Sequence, residues 1–411
     1  MSRLSLSLGF FLVSTVFAHA QSATNWNQWR GPHRDGSVES TDWPDQLQGR
    51  LELLWEKPLQ PSYSGPIVNG DLVFTTETVD KKTEQVTAYS LTTGELRWTV
   101  QWPGAMSVPF FAASNGDWIR STPVCDGKHL IVLGMRDVLV SLDPETGNQQ
   151  WRVDFPEALK TPLQPFGAVC SPLIDDEAVY VQAGAALTKL SVKDGTVLWQ
   201  ALKGGGDMMS GGAFSSPVLA TIRGLKQVVV QTRDELCGVD AENGTVLWRE
   251  PIEAFRGMNI LTPLVIDDRV FTAAHSGKSQ LFDIGKDDSG AWTVSEIWNQ
   301  KIQGYMSSPV VIDDTIYLHQ KSQRFSALSV TSGEVKWTTE PFGKYWSTLH
   351  DRKKILALDE NGKLLLIKAN PSAFQVLDQM PVAENAWAHL GLDNDRLLVR
   401  DLKSLKVYRW K

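Results

Sequence analysis

One short pattern recurs along this chain and limits its fold more than any other feature: a polar turn, a Gly, and a Trp four residues later. It reads Leu91-Thr92-Thr93-Gly94-Glu95-Leu96-Arg97-Trp98, then Leu142-Asp143-Pro144-Glu145-Thr146-Gly147-Asn148-Gln149-Gln150-Trp151, then Val192-Lys193-Asp194-Gly195-Thr196-Val197-Leu198-Trp199. It returns before Trp248 (Gly244) and Trp337 (Gly333); a lengthened copy ends at Trp298, and Trp55 and Trp410 close truncated ones. Each copy is a strand ending in a turn where Gly takes the positive φ that a side chain resists, followed by a second strand.

A second pattern alternates with the first. Two small residues and a Pro lead into an apolar run at Ser64-Gly65-Pro66, Ser121-Thr122-Pro123, Cys170-Ser171-Pro172, Ser215-Ser216-Pro217, Leu261-Thr262-Pro263 and Ser307-Ser308-Pro309. Weaker copies follow at Ser347-Thr348-Leu349 and Ala388-His389-Leu390, which makes eight. The intervening text is short β-branched and aromatic strands without helical periodicity. The Trp residues at 55, 98, 151, 199, 248, 298 and 337 stand 43, 53, 48, 49, 50 and 39 apart, the length of a four-stranded propeller blade.

The expectation is therefore an all-β, eight-bladed propeller over residues 51–411. Its ring is closed by the lone amino-terminal strand at 51–57, which completes a last blade that has only three strands of its own after Trp387. A linear β-solenoid is the alternative architecture. In a radial array Trp98, Trp151, Trp199, Trp248 and Trp337 act as structural wedges between blades.

Residues 1–20 carry one charge, Arg3, an apolar run at 4–17 and Ala18-His19-Ala20, which reads as a signal peptide cleaved after Ala20. No Cys stands near that point for lipid attachment, and no later segment has spanning length. The expected location is periplasmic or secreted, with no membrane span after signal removal. With 40 Lys and Arg against 47 Asp and Glu, net −7, the chain lacks the basic surface of a nucleic-acid binder. Cys125, Cys170 and Cys237 sit in apolar runs and read as buried small hydrophobes.

The combined repeats resemble the pyrroloquinoline-quinone-like (PQQ-like) β-propeller family, which includes quinoprotein alcohol dehydrogenases and the outer-membrane assembly factor BamB. The segment Trp26-Asn27-Gln28-Trp29-Arg30-Gly31-Pro32-His33-Arg34-Asp35-Gly36 resembles the opening of exported bacterial propellers of this family with no established reaction. Residues 21–50 are expected as an extended strap held on the propeller surface by Trp26 and Trp29. A quinoprotein dehydrogenase implies adjacent cysteines, a calcium site and a catalytic Asp. No two cysteines here are adjacent, so no cofactor is expected.

The acidic pairs Asp175-Asp176, Asp267-Asp268 and Asp313-Asp314, and Asp393-Asn394-Asp395, recur at one place in the repeat and read as hairpin turns rather than metal ligands. In the stretch 283–296, calcium-loop spacing would put Gly285 at a ligating position, so a longer turn is expected there. The mature His residues are scattered, and no nucleophile elbow or phosphate loop appears.

Propellers bind at one mouth of the central channel. Three positions before each lead-in Pro, or its equivalent, stand Tyr63, Arg120, Val169, Phe214, Ile260, Met306, Trp346 and Trp387. Tyr63, Arg120, Phe214, Met306, Trp346 and Trp387 are the candidate ligand or partner contacts, with no catalytic or metal residue assigned. The insertion at 102–118, with Pro109-Phe110-Phe111, is a candidate lid. The reading is a monomeric, non-catalytic scaffold for an envelope or secreted protein, in which alanine at Trp346 and Trp387 removes capture with little loss of stability. The alternative is a PQQ-dependent oxidoreductase with calcium, where Arg120 pairs a cofactor carboxylate. A sugar-binding propeller ranks third.

Overall fold

Eight antiparallel four-stranded sheets follow one another around a ring. The computed structural model describes residues 26–38, 43–205 and 212–411; the signal peptide reading at 1–20 lies outside the described residues. Numbered in chain order by their innermost strands, the blades begin at Ile67–Asn69, Val124–Cys125, Leu173–Asp175, Val218–Ile222, Leu264–Ile266, Val310–Ile312, Trp346–His350 and Gly391–Asp393. Blade 8 takes its outermost strand from the amino terminus: Leu51–Pro58 pairs antiparallel with Ser404–Trp410, from Leu51 opposite Trp410 to Pro58 opposite Ser404. The ring is thus closed, not an open spiral, and core clusters continue from blade to blade.

The Gly-x-x-x-Trp pattern acquires a mechanical meaning. A Trp on an outer strand reaches forward to the next blade and donates its N–H to a carbonyl there, and Trp55, Trp98, Trp151, Trp199 and Trp298 also lay their indoles over that blade's turn Gly, which blade 7 lacks under Trp337. Trp55, Trp98, Trp151, Trp199, Trp298 and Trp337 donate to the carbonyls of Leu91, Pro144, Val192, Glu242, Val330 and Asn370 at 2.7–3.1 Å. At Gly333, φ is +71° and an added Cβ would lie 2.5 Å from the Trp298 ring, so the turn and the ring require glycine together. Trp248 differs from its expected role. Its ring packs against Val270 and Phe282 of blade 5, but its N–H turns back to Gln227 Oε1 in its own blade, 2.8 Å away. The cause is the hairpin at 283–296. It is not a longer turn: strands Ser279–Lys286 and Trp292–Gln300 run on, leaving only residues 287–291 as turn, so no docking Gly lies under the ring.

The small-small-Pro lead-in has its own bond. The residue before Pro offers its hydroxyl to the backbone N–H of the equivalent residue one blade earlier: Gly65 to Thr122, Thr122 to Ser171, Ser171 to Ser216 and Ser216 to Thr262, all 2.9–3.0 Å. These hydroxyls stitch blades 1 to 5 around the channel and satisfy buried amides that have no ladder partner. The acidic pairs lie in hairpin turns, where Asp176, Asp267, Asp313 and Asn394 have φ of 50–55°. The three cysteines are buried, free and in separate blades.

Two carboxylates are buried between blades. Asp137 of blade 2 accepts N–H bonds from Gly184 (2.8 Å) and Gln164 (3.4 Å). Glu84 of blade 1 accepts from Met135 (2.6 Å) and the Trp102 indole (2.9 Å). Burial nevertheless pushes both carboxyls up to about 7. An unfolded Asp titrates near 4, so the stability tied to neutral Asp137 is complete below about pH 4 and is lost as pH rises through about 7. Asp137→Asn, which suits the positive φ of 61°, is expected to stabilise the fold by on the order of 2 kcal/mol at pH 8 and to be near neutral at pH 4.5. Urea titrations of both proteins at the two pH values check this; an equal effect at both would refute it.

Candidate functional site

The segment at 26–38 is where the structure departs furthest from expectation. It is not an extended strap but a run of turns inserted into the channel against the lead-in Pro residues, and it bonds to the innermost strands or their approaches in five blades. Trp26 accepts from Val68 N–H of blade 1, and Asn27 exchanges two bonds with Cys125 of blade 2. Arg34 donates to the carbonyls of Ser171 and Pro172 (blade 3), and Arg30 to that of Pro309 (blade 6). Gly36 and Val38 bracket His350 of blade 7. Both guanidinium groups are fully buried, and burial pulls them down to about 10 for Arg30 and about 9 for Arg34. They lie 5.6 and 5.3 Å from the Trp29 ring, which meets His389 edge-on at 5.2 Å. The stretch at 43–50 is also turn and bend and packs on blades 7 and 8: Trp43 stacks on Trp410, and Asp378 accepts the Leu47 and Gln48 amides.

Above this plug lies a cavity of about 430 Å³ whose inner end is formed by Trp29 and His389. All six candidate residues, Tyr63, Arg120, Phe214, Met306, Trp346 and Trp387, line it, as do Val169 and Ile260. In blades 1 to 6 the lead-in Pro fixes the geometry: with φ held, the chain enters the innermost strand at one angle, and the residue three positions earlier reaches the mouth; Leu349 and Leu390 stand at the equivalent place in blades 7 and 8. The insertion also reaches the rim. Its 3-10 turn Phe110–Asn115 brings Phe111, Ala112 and Asn115 to the wall, with Phe110 90% exposed.

The rings around the mouth form two arcs. One runs Phe110, Phe111, Phe166, Phe214, with successive centroids 5.6, 6.2 and 5.8 Å apart. Arg233 lies 4.6 Å from the Phe214 centroid. The other runs Phe255, His275, Tyr305, Tyr345, Trp387, Tyr63, Trp118 at 5.5, 4.9, 5.9, 4.1, 4.7 and 5.3 Å. Tyr305, Tyr345, Phe166, Phe255 and Arg233 escaped the sequence reading. Tyr305 and Tyr345 each stand one residue before a candidate, and the others come from loops that the repeat does not index.

Two candidates differ in kind. Trp387 is half-buried, stacked on Tyr63 and met edge-on by Tyr345. Trp346 is 2% exposed, packed on His319 and Phe325 at 4.9 Å each, and its N–H is bound by the Phe342 carbonyl. Its ring belongs to the core of blades 6 and 7 and only an edge meets the cavity, so alanine there disturbs the fold, contrary to expectation. Desolvation pushes Tyr63 up to about 12, raises Tyr345 and Tyr305, and lowers Arg120, whose donors are directed at the carbonyls of Trp118 and Gly116.

The donor set does not suit a calcium-held quinone. Among the described residues, no Asp or Glu lines the cavity, whereas calcium takes six to eight oxygen ligands. No group of three His, Cys, Asp or Glu residues that could hold a metal occurs among them either. The buried thiols lie in separate blades, and none of them lines the cavity.

A closed eight-bladed ring, pinned by docked Trp residues and opening on an aromatic mouth, defines a PQQ-like β-propeller. The chain belongs to the sequence family described as outer membrane protein assembly factor BamB, which it matches over residues 36–100 and 82–339. The curated BamB of Yersinia pestis is 21% identical over 268 residues, 60% of this chain; the match spans 63% of that relative, less than two thirds. Among solved structures, BamB from Moraxella catarrhalis has a TM-score of 0.62 at 16% identity, covering 88% of this chain and 100% of its own. The quinohemoprotein alcohol dehydrogenase of Comamonas testosteroni reaches 0.66 at 11% identity, covering 94% and 80%. At such identities the structural likeness speaks for the fold alone.

Proposed function

We propose that this protein is an exported, non-catalytic scaffold of the bacterial cell envelope that holds a partner protein at its aromatic mouth. The observation that carries this reading is the mouth itself: a concave cavity ringed by large rings, with guanidinium groups and without a described acid, nucleophile and base in a reacting arrangement. Membership of a family named for outer-membrane protein assembly supports an envelope partner. The proposed chain acts after removal of residues 1–20 and as a monomer.

Affinity capture from the envelope of the source bacterium tests it. The full-length protein is expected to retain a defined outer-membrane assembly component, and Trp387→Ala to lose at least nine-tenths of it at unchanged melting temperature. Titration with PQQ and Ca²⁺ provides the opposing test. Saturable binding accompanied by dye-linked alcohol oxidation would replace the scaffold with an oxidoreductase.

A further inference from the structure

The mouth has a charge character opposite to that of the chain. Acidic residues make up 47 of 411, so a random set of 28, the number lining the cavity, would include about three. Among the described residues it includes none, whereas Arg120, Arg233 and Arg256 are all present. Ten of the 28 are Phe, Tyr or Trp, in a chain where those residues are 9%. Arg120 is the most informative. It stands in the wall beside Tyr63 and spends two donors on carbonyls, from Nε to Trp118 (3.2 Å) and from Nη2 to Gly116 (3.0 Å). A guanidinium has five N–H donors, and among the described residues no carboxylate forms an ion pair with this one. Asp117 raises its basicity only from a distance. Arg256 sits on the rim over the Phe255 ring at 5.1 Å, also without an acid partner among the described residues.

The cavity's shape restricts the occupant further. Trp29 and His389 end it, so nothing threads through, and 430 Å³ takes two or three side chains rather than a folded surface. A neutral sugar would want carboxylate acceptors, which the described lining lacks, and Asn115 is its one side-chain amide.

We propose that the mouth binds a peptide segment in which an acidic side chain adjoins an aromatic one, the carboxylate meeting Arg120 and the ring entering the collar between Trp387 and Phe214. This proposal rests on the scaffold reading and specifies the partner's chemistry. A charge-assisted bond to a desolvated guanidinium supplies selectivity for the acid, and ring stacking supplies contact area.

The test is a phage-displayed heptapeptide library panned on the full-length protein, followed by fluorescence polarisation with the selected peptides synthesised with blocked ends. Selected sequences are expected to place Asp or Glu beside Phe, Tyr or Trp. Replacing the acid by its amide is expected to weaken binding roughly tenfold or more on the parent protein. On Arg120→Gln the same replacement is expected to have little effect. Because Arg120 also braces the insertion, Arg120→Lys and the rim variant Arg256→Gln accompany it: the first is expected to restore most of the acid preference, the second to weaken acidic peptides several-fold without changing the melting temperature. Peptides that lose binding on Trp387→Ala yet show no preference for acid would overturn the proposal and leave the scaffold standing. Absence of any peptide dependent on Trp387, or binding of benzoate alone, would overturn both, the latter in favour of a small-molecule pocket.

Discussion

A chain beginning at Trp43 is expected to melt about ten degrees below the full-length protein, because it loses the plug that closes the channel. Trp26, Trp29 and Val38 are 2%, 6% and 7% exposed. At about 25 cal/mol per Å² and roughly 150–250 Å² per Trp, their burial is worth on the order of 10 kcal/mol. The two interior guanidinium groups offset part of that, since each is desolvated and several of their N–H groups, including Nε of both, have no acceptor among the described residues. An unfolding entropy of about 2 cal/mol/K per residue converts the remainder into the stated shift. Truncation also exposes the amides of Val68, Cys125 and His350 and removes the inner wall of the cavity. Differential scanning calorimetry gives the first readout and dye uptake at the opened channel the second. An unchanged midpoint would mean that the plug is a passenger.

The second large effect separates two residues that look alike in sequence. Trp346→Ala is expected to cost about 3–5 kcal/mol, the range for truncating a buried aromatic. It empties a site walled by His319, Phe325 and Phe342 and removes the indole N–H bond to the Phe342 carbonyl, which keeps only its contact with His319 Nε2. Trp387→Ala is expected to leave stability within about 1 kcal/mol, since its ring is half-buried and borders open space, while partner capture is lost. Urea unfolding of the two variants beside the parent protein decides the matter, and similar midpoints for both would show that the side-chain environments are not as described here. A loss of capture in Trp346→Ala alone is therefore no measure of contact at the mouth.

The blades were legible because a repeat multiplies its own signal. Gly94, Gly147, Gly195, Gly244 and Gly333 with their Trp partners mark one joint five times, and the lone strand before Ile67 leaves only one way to complete blade 8. The residues lining the cavity were legible for the same reason, since a constant offset from Pro, or from Leu349 and Leu390 in blades 7 and 8, selects equivalent points on every blade. What occurs once was hidden. The 26–38 segment has no second copy to compare, and Arg30 and Arg34 look like surface residues until carbonyls from blades 3 and 6 close around them. The different path of the Trp248 N–H depends on the length of a hairpin in the following blade, and Trp346 shares an offset with Trp387 while its rotamer turns toward Phe325 instead of the channel. Periodicity reports equivalence of position, whereas burial of a particular ring is decided by neighbours far away in the chain.

The seam between Leu51–Pro58 and Ser404–Trp410 sets the order in which this protein folds. A strand made early has no partner until several hundred residues later, and bringing such distant ends together costs about 5 kcal/mol in loop entropy before any bond is gained. Blades 1 to 7 assemble from local hairpins in the meantime, while two unpaired edges wait at either end of an incomplete circle. Completion is then a slow, late, single event, and the waiting edges are the points at which a holding chaperone would act and at which stalled molecules would join one another.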